Sequence, residues 1–475
     1  MAIDMKASPA RGASLCELAE SLQGDLSAQA VVGACLEAIE ASAPGFNGFV
    51  RTRTEKALDQ ARSLDRRKSG GARCGPLHGV PLAHKDMFFQ AGELSECGSR
   101  ILRGFRPDHT ATVLRRLEDA GAVNLGALHM AEFAMSPTGF NAHLGHGKNP
   151  WSADHVSGGS SSGSGAAVGG RFVFGALGSD TGGSVRLPAA VCGVTGIKPT
   201  QHAVSTYGVM PLSPSLDCVG FLAQTARDCA RLLSVVSGPD ARDPACLASR
   251  PRDYESGVDR PLFAGDVILV PKFPSDAPLS DEVRALVEQA AEDFAKAGAE
   301  IRRVALPDFA EAGALGTLVL GVEAASIHGE WLSKRPDDYG SQVRRRIQRG
   351  LLYPATRYVD ALRLRAQYQA RFLSDYLEGG QALLLPTLPC AVPTIQETIT
   401  GSEGDIEARF GNFSYWTRGI NYLGLPALAL PAGFTSNGLP NGIQLVGRPF
   451  DEAALLRLGH QFQQHTRWHS RRPGA

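Results

Sequence analysis

The stretch from Val156 to Pro188, V-S-G-G-S-S-S-G-S-G-A-A-V-G-G-R-F-V-F-G-A-L-G-S-D-T-G-G-S-V-R-L-P, constrains this chain more than any other. It holds two Gly-Gly-Ser turns, Gly158-Gly159-Ser160 and Gly182-Gly183-Ser184, with a small-residue helix candidate and a short apolar run between them. Glycine permits positive φ and close approach to the backbone. Gly-Gly before a serine therefore bares the hydroxyl together with several N–H groups, as a nucleophile beside an oxyanion hole requires. One such turn also serves as an anion nest without chemistry. Two of them, the second bracketed by Asp180 and Arg186, favour chemistry.

A second feature is Lys85, at the end of the apolar run Leu77 to Lys85, which reads as a strand entering a core. Burying an ammonium group is costly, so a lysine there is unusual. The residues alone leave an equal alternative, a surface pair between Lys85 and Asp86. Neighbours on a strand point to opposite faces, which weakens that alternative.

The flanking sequence reads as alternating helices and strands. Ser14 to Leu22, Ser27 to Ala41 and Glu55 to Lys68 are helices, with Pro44-Gly45 stopping the second and a strand at Phe46 to Val50. Ala111 to Ala120 is a helix, Ala122 to Leu125 a strand, and Leu128 to Met135 the start of another helix. Ala226 to Val236 is helical. Asp266 to Val270, Asp281 to Ala297 and Ile301 to Val304 form a βαβ unit, with Ser280 as N-cap and Gly298 as terminator. Glu323 to Tyr376 is helix-rich and broken by Pro336 and Pro354. Gln381 to Thr387 is a strand and Thr400 to Phe413 irregular. Ala427 to Leu430 and Ile443 to Val446 are strands, and Asp451 to His465 closes the chain as a helix. The expected architecture is α/β: a single α/β/α domain around a large mixed sheet at residues 71–475, with a helical segment at 1–70 packed on it.

Charge excludes some classes. Lys+Arg and Asp+Glu number 48 each, for a net charge of zero. That argues against nucleic acid and anionic membrane as partners. Nine scattered cysteines with no C-x-x-C pair fit reduced thiols. The start, Met1 to Lys6, has no apolar run behind it, and the expectation is a cytoplasmic protein without a signal peptide. His143 and His146 lie in a Gly/Asn-rich loop without ligand spacing, so no metal is expected there.

The Gly158–Pro188 run, with Gly79-Val80-Pro81-Leu82-Ala83-His84-Lys85-Asp86 upstream, resembles the amidase signature family of serine hydrolases. Weaker similarity continues at Gly98-Ser99, Asn149-Pro150-Trp151, Gly196 to Thr200, Gly424 to Ala427 and Gly442 to Gly447. The resemblance implies a Ser-Ser-Lys amide hydrolase that needs no cofactor. Ser184 is then the nucleophile, Ser160 the bridging serine behind a cis peptide bond, and Lys85 the base, neutral at working pH. The implied oxyanion hole is the N–H groups of Thr181, Gly182, Gly183 and Ser184. Ser161 is implied as a partner behind the direct contacts of Lys85, with Asp180 and Arg186 bracing the loop. Ser157 and His84 depart from the family's usual residues without removing a catalytic group. Phe133, Met135, Ser136, Tyr207, Met210, Tyr415 and Trp416 are candidate pocket residues, whose aromatic content points to an aryl or apolar acyl group. Ordinary core packing is an equal reading of them. The expected partner is a small-molecule amide, and a homodimer is an open option.

Three other readings compete. Gly159-Ser160-Ser161-Ser162-Gly163 matches the G-x-S-x-G elbow of α/β-hydrolases, with Ser161 as nucleophile and His460, His465 or His469 as base. That elbow needs a preceding strand, and Trp151 to His155 does not read as one. Gly163 to Gly169 only approximates a dinucleotide fingerprint. The same scaffold also serves as the glutaminase subunit of a tRNA-dependent amidotransferase, which works with partner chains. Gln342 to Ile347 is similar to that subunit, whereas Gly350 to Pro354 is not.

Overall fold

The computed structural model describes residues 12–43, 45–246 and 250–474. The opening residues read above for a leader, and Pro44, read as a helix stop, lie outside them. Among the described residues eleven strands form one sheet. They are β1 (Phe49–Thr52), β2 (Pro81–Lys85), β3 (Val123–Leu128), β4 (Gly175–Asp180), β5 (Thr195–Lys198), β6 (Cys218–Ala223), β7 (Val267–Pro271), β8 (Glu300–Val304), β9 (Ala382–Pro386), β10 (Ala427–Phe434) and β11 (Pro440–Val446). The order across the sheet is β1-β3-β2-β4-β6-β5-β10-β11-β9-β7-β8. The β2, β3 and β4 strands run parallel, as do β7, β8 and β9, and the β4/β6 pairing is antiparallel. The mixed α/β architecture expected from the sequence is the one observed.

Every residue of β2, β4, β5 and β6 is buried. Buried on both faces, these strands do not alternate apolar with polar, and their charged residues Lys85, Asp180 and Lys198 stand at their carboxyl ends. The largest hydrophobic cluster joins these strands to side chains of helices Leu15–Gln23 and Ala28–Ser42. Strand β1, also within the first seventy residues, is an edge of the same sheet. Local signals act as read. Ser14 and Glu17 form a capping box, Ser27 accepts from Ala30 N–H, and Ser280 accepts from Val283 N–H.

Several segments differ from the sequence expectation. Leu128–Met135 is not a helix: the chain leaves β3 into a short 3-10 turn at Glu132–Ala134, with φ of 46° at Phe133. The buried Glu132 carboxylate ties this turn to Ser99 Oγ at 2.7 Å and to Gly340 N–H at 2.9 Å. Thr400–Phe413 is mostly helix, Glu403–Phe413, started by a Ser402/Asp405 capping box that outweighs Gly404 and Gly411. The long helix Phe309–Lys334 begins earlier than its charged part indicated, because Gly313, Gly316 and Gly321 dilute its pattern. At Gly316 an added Cβ would lie 3.2 Å from Tyr422 Cβ, so glycine there admits the neighbouring helix Tyr415–Leu423. That neighbour, and the short helix Arg186–Cys192, carry too few residues for periodicity to reveal.

Candidate active site

Parallel strands present their carboxyl ends to a common crevice. Lys85 ends β2, and Ser179 and Asp180 end the adjacent β4. Lys85 Nζ lies 2.7 Å from Ser160 Oγ and 2.8 Å from Ser179 Oγ. Burial pushes the lysine down from 10.5 to about 7, against the opposing pull of Asp217, Asp180 and Cys97. The surface pair with Asp86 does not form: Asp86 is buried and paired with Arg51. His84 points away from the lysine, with Nδ1 3.2 Å from Asn124 Oδ1, and burial lowers it to about 4.

The Gly159–Ser160 peptide bond is cis. Gly159 N–H donates to Pro137 O at 2.7 Å, and a Cβ at Gly159 would fall 2.3 Å from Ser136 O, so only glycine fits this passage. Ser161 N–H donates to Ser184 O at 3.2 Å, which joins the two Gly-Gly-Ser turns directly. Helix Ser162–Gly169 then carries the chain away through a wholly buried stretch. Ser161 meets the lysine only through Ser179. Its hydroxyl donates to Ser179 O at 3.2 Å and accepts from Ser179 N–H at 3.3 Å. The lysine's second hydroxyl partner is Ser179, which sequence reasoning missed although it sits one residue before the flagged Asp180.

The Ser184 turn is held from below by ion pairing. Arg186 Nε and Nη2 donate to the two Asp180 carboxylate oxygens, each at 3.1 Å. Arg186 also donates to Gln444 Oε1 at 2.8 Å and Asn421 Oδ1 at 2.6 Å. Burial alone would raise Asp180, but Arg186, Lys198 and Asn421 outweigh it and hold the carboxyl well below the usual range. Asp180 and Arg186 are tied together under the loop, with Asn421 and Gln444 completing the network. Gln444 lies inside the resemblance-bearing Gly442–Gly447 stretch, which was its only signal in the sequence.

One expected oxyanion donor is already engaged: Gly183 N–H donates to Asp180 Oδ1 at 2.8 Å. The N–H groups of Thr181, Gly182 and Ser184 have no acceptor among the described residues. Three donors, not four, are thus free for a developing oxyanion. Ser184 is 8 % exposed whereas Lys85 and Ser160 are at 0 %, so the turn meets solvent while the lysine is shielded from it.

The candidate pocket residues divide. Trp416 is core, its indole between Phe273 and Phe309 and its N–H on Pro278 O. Phe133 packs among His328, Trp331 and Tyr339. Tyr207 lies under Arg242 and beside His109. Met210 N–H donates to Met87 O at 2.9 Å, and Met87 Sδ accepts from Ser179 Oγ at 3.1 Å. Tyr415, half-buried, rests edge-on against Trp416. Ser136 O lies at the Gly159 passage, and the O of its neighbour Met135 accepts from Arg346.

Arg346 and Arg418 were not anticipated. The Arg418 stem lies 3.3 Å from where a Gly182 Cβ would be, and its Nε is buried without a partner. Arg418 donates to Gly411 O at 2.8 Å and Thr317 Oγ1 at 3.1 Å. Burial and then the nearby Arg346 charge lower its proton affinity. The Arg418 stem thus passes Gly182, while the Arg346 guanidinium lies at Met135 O.

The nucleophile-elbow reading finds no support in this geometry. The G-x-S-x-G elbow lacks its strand, and His460 is paired with Asp259 at 3.1 Å on the closing helix. His143 bonds Glu132 at 3.0 Å. Among the described residues no group of three or more His, Cys, Asp and Glu is arranged to hold a metal ion.

A family model described as amidase matches residues 30–456. A glutamyl-tRNA(Gln) amidotransferase subunit of Neisseria meningitidis serogroup C / serotype 2a is 39% identical over 472 residues, covering 94% of this chain and 96% of the relative. Among solved structures, a chain from a vestigial protein complex tied to the origins of an s-triazine catabolic enzyme superposes with a TM-score of 0.88. It is 31% identical, over 96% of this chain and 98% of that one. A 6-aminohexanoate cyclic dimer hydrolase complexed with substrate superposes with a TM-score of 0.87 at 28% identity, over 99% of both chains.

Proposed function

This chain belongs to the amidase family, and on that premise we propose that it cleaves a carboxamide through an acyl-enzyme on Ser184. The observation that carries the reading is the buried Lys85 amine, pushed down to about 7 and 2.7 Å from Ser160 Oγ. Free serine is too weak an acid to act alone. Neutral Lys85 accepts the Ser160 proton as Ser160 takes that of Ser184. Ser184 Oγ attacks the carbonyl carbon, and the charge on the carbonyl oxygen falls to the free N–H groups of Thr181, Gly182 and Ser184. The relay returns the proton to the leaving nitrogen, the C–N bond breaks, and ammonia or an amine departs. Water then repeats the sequence on the acyl ester and releases the carboxylate.

The substrate reading changes with the structure. Trp416 and Phe133, half of the case for an aryl acyl group, are occupied by core contacts. Arg346 and Arg418 support instead an amide that also carries an acidic group, because a carboxylate relieves both their mutual repulsion and the unpartnered Nε. Arg346 has Glu407 at 3.8 Å, a carboxylate it shares with Arg349.

A second reading is the glutaminase component of an amidotransferase. The 39% identity to the amidotransferase relative favours it over a free-standing aryl amidase. Glutamine is itself an amide bearing a carboxylate, so both readings share the site chemistry. Ammonia release from neutral amides, from amides of dicarboxylic acids and from glutamine separates them. The expectation is a preference for acid-bearing amides, with Arg418→Ala raising KM about tenfold for them and leaving neutral amides unchanged. Glutamine turnover that appears only with added partner chains selects the second reading. Full turnover by Ser184→Ala overturns both.

A further inference from the structure

We infer that Asp217, which no motif singled out, is a positioning residue that holds Thr181 of the oxyanion loop and carries a carboxylate without a counter-ion at the strand ends next to that of Lys85. The inference rests on the Ser184–Ser160–Lys85 reading above.

The placement follows from the sheet. Asp180, the last residue of β4, pairs with Cys218, the first of β6, so Thr181 and Asp217 face each other where that ladder ends. Thr181 Oγ1 donates to Asp217 Oδ1 at 2.6 Å. The other carboxylate oxygen accepts from Leu212 N–H at 2.9 Å and Ser213 N–H at 3.0 Å. Ser213 Oγ in turn donates to Glu323 Oε2 at 2.6 Å, and Glu323 also accepts from Tyr358 OH at 2.9 Å. A chain of polar contacts therefore runs from the oxyanion loop to the outer helices.

The two acids near Lys85 are not equivalent. Asp180 is saturated by Arg186, with Lys198 and Asn421 adding to it. Asp217 has no Lys, Arg or His within 4.0 Å among the described residues, only hydrogen-bond donors. Burial lifts it to about 6 while its three donors pull it down, and Glu323 raises it further. Of the groups facing Lys85, Asp217 leads in retaining the ammonium form, followed by Asp180 and Cys97, whose thiol is raised by burial. Cys218, beside Asp217 in the chain, faces Lys198, Asp180 and Arg365 as well, and burial raises it too. Asp217 thus opposes the deprotonation that the relay needs while fixing a threonine whose N–H the relay uses. A charge removed there frees the lysine proton at lower pH but loosens the loop.

The test is the pH dependence of kcat/KM for the wild type, Asp217→Asn, Thr181→Val and Ser184→Ala on one amide substrate. In Asp217→Asn the acid limb is expected to move down by about one pH unit, the size of effect a neighbouring opposite charge produces. Its plateau kcat falls because one amide oxygen cannot replace three acceptor contacts. In Thr181→Val the charge remains, so the limb stays put while kcat falls about tenfold at little change in KM. Thr181→Val carries the test if Asp217→Asn is not recovered folded: an unchanged kcat, or a limb that moves with it, overturns the inference. An unmoved limb in folded Asp217→Asn also overturns it, because a merely structural acid lowers activity at every pH alike. Ser184→Ala keeps the two proposals apart. Turnover in that variant sinks the nucleophile reading, whereas a dead Ser184→Ala with an unmoved Asp217→Asn limb sinks the Asp217 role alone.

Discussion

Replacing Lys85 by methionine tests the buried amine without reference to catalysis. The group is shifted from 10.5 in the unfolded chain to about 7 in the fold and is fully shielded from solvent. Below pH 7 both states hold the proton, and the fold bears the whole cost of the buried charge. Between pH 7 and 10.5 the unfolded chain binds a proton that the folded chain does not, so native stability rises with pH at about 1.4 kcal/mol per unit. The wild-type lysine therefore costs about 4 kcal/mol at pH 7 and about 2 kcal/mol at pH 9. Methionine removes that cost but strands the Ser160 and Ser179 hydroxyls, a loss of roughly 1–3 kcal/mol each that does not vary with pH. The offset leaves the net sign at pH 7 near balance, so the pH dependence is the decisive readout. Urea unfolding of both proteins at pH 7 and pH 9 is expected to show the stability difference, variant minus wild type, falling by about 2 kcal/mol. A difference that is flat across that range refutes a neutral lysine in the fold.

Four further outcomes follow from the same site. Asp180→Asn leaves Arg186 buried without its counter-ion and is expected to cost about 3–5 kcal/mol in denaturant unfolding. In the wild type the Asp180 contribution is present above the unfolded carboxyl range and is lost only as pH falls through its depressed folded value, so acid unfolding of the loop is expected well below pH 4. Gly183→Ala places a Cβ 2.2 Å from Thr417 Oγ1 at a φ of +124°, and kcat is expected to fall about a hundredfold with little change in KM. The wild-type kcat/KM is expected to drop about fivefold from pH 7 to pH 6, following the neutral fraction of a lysine at about 7, in a pH–rate series.

Much of this was legible in the chain because the signals are local. Gly-Gly-Ser turns, the Ser280 cap and the apolar β7–helix–β8 pattern each act within a few residues. What was missed depends on residues brought together from afar. Ser179 reaches the lysine only because β4 lies beside β2, and Arg418 meets Gly182 across more than two hundred positions. Gly183 shows the same limit: its N–H is committed to Asp180 by a fold of the loop that glycine spacing does not encode. Trp416 was legible as pocket or core because aromatic content signals burial and binding alike, and only packing against Phe273 and Phe309 separates them. The helix Glu403–Phe413 was hidden by two glycines whose penalty a capping box and surface exposure absorb.

The most direct measurement is peptide mass spectrometry on protein quenched in acid during turnover of a slowly deacylating amide or ester. An acyl adduct on Ser184, absent from Ser184→Ala and lost in Lys85→Met, is the expected result. An adduct on Ser160 or Ser161, or undiminished turnover with no adduct at Ser184, contradicts the account.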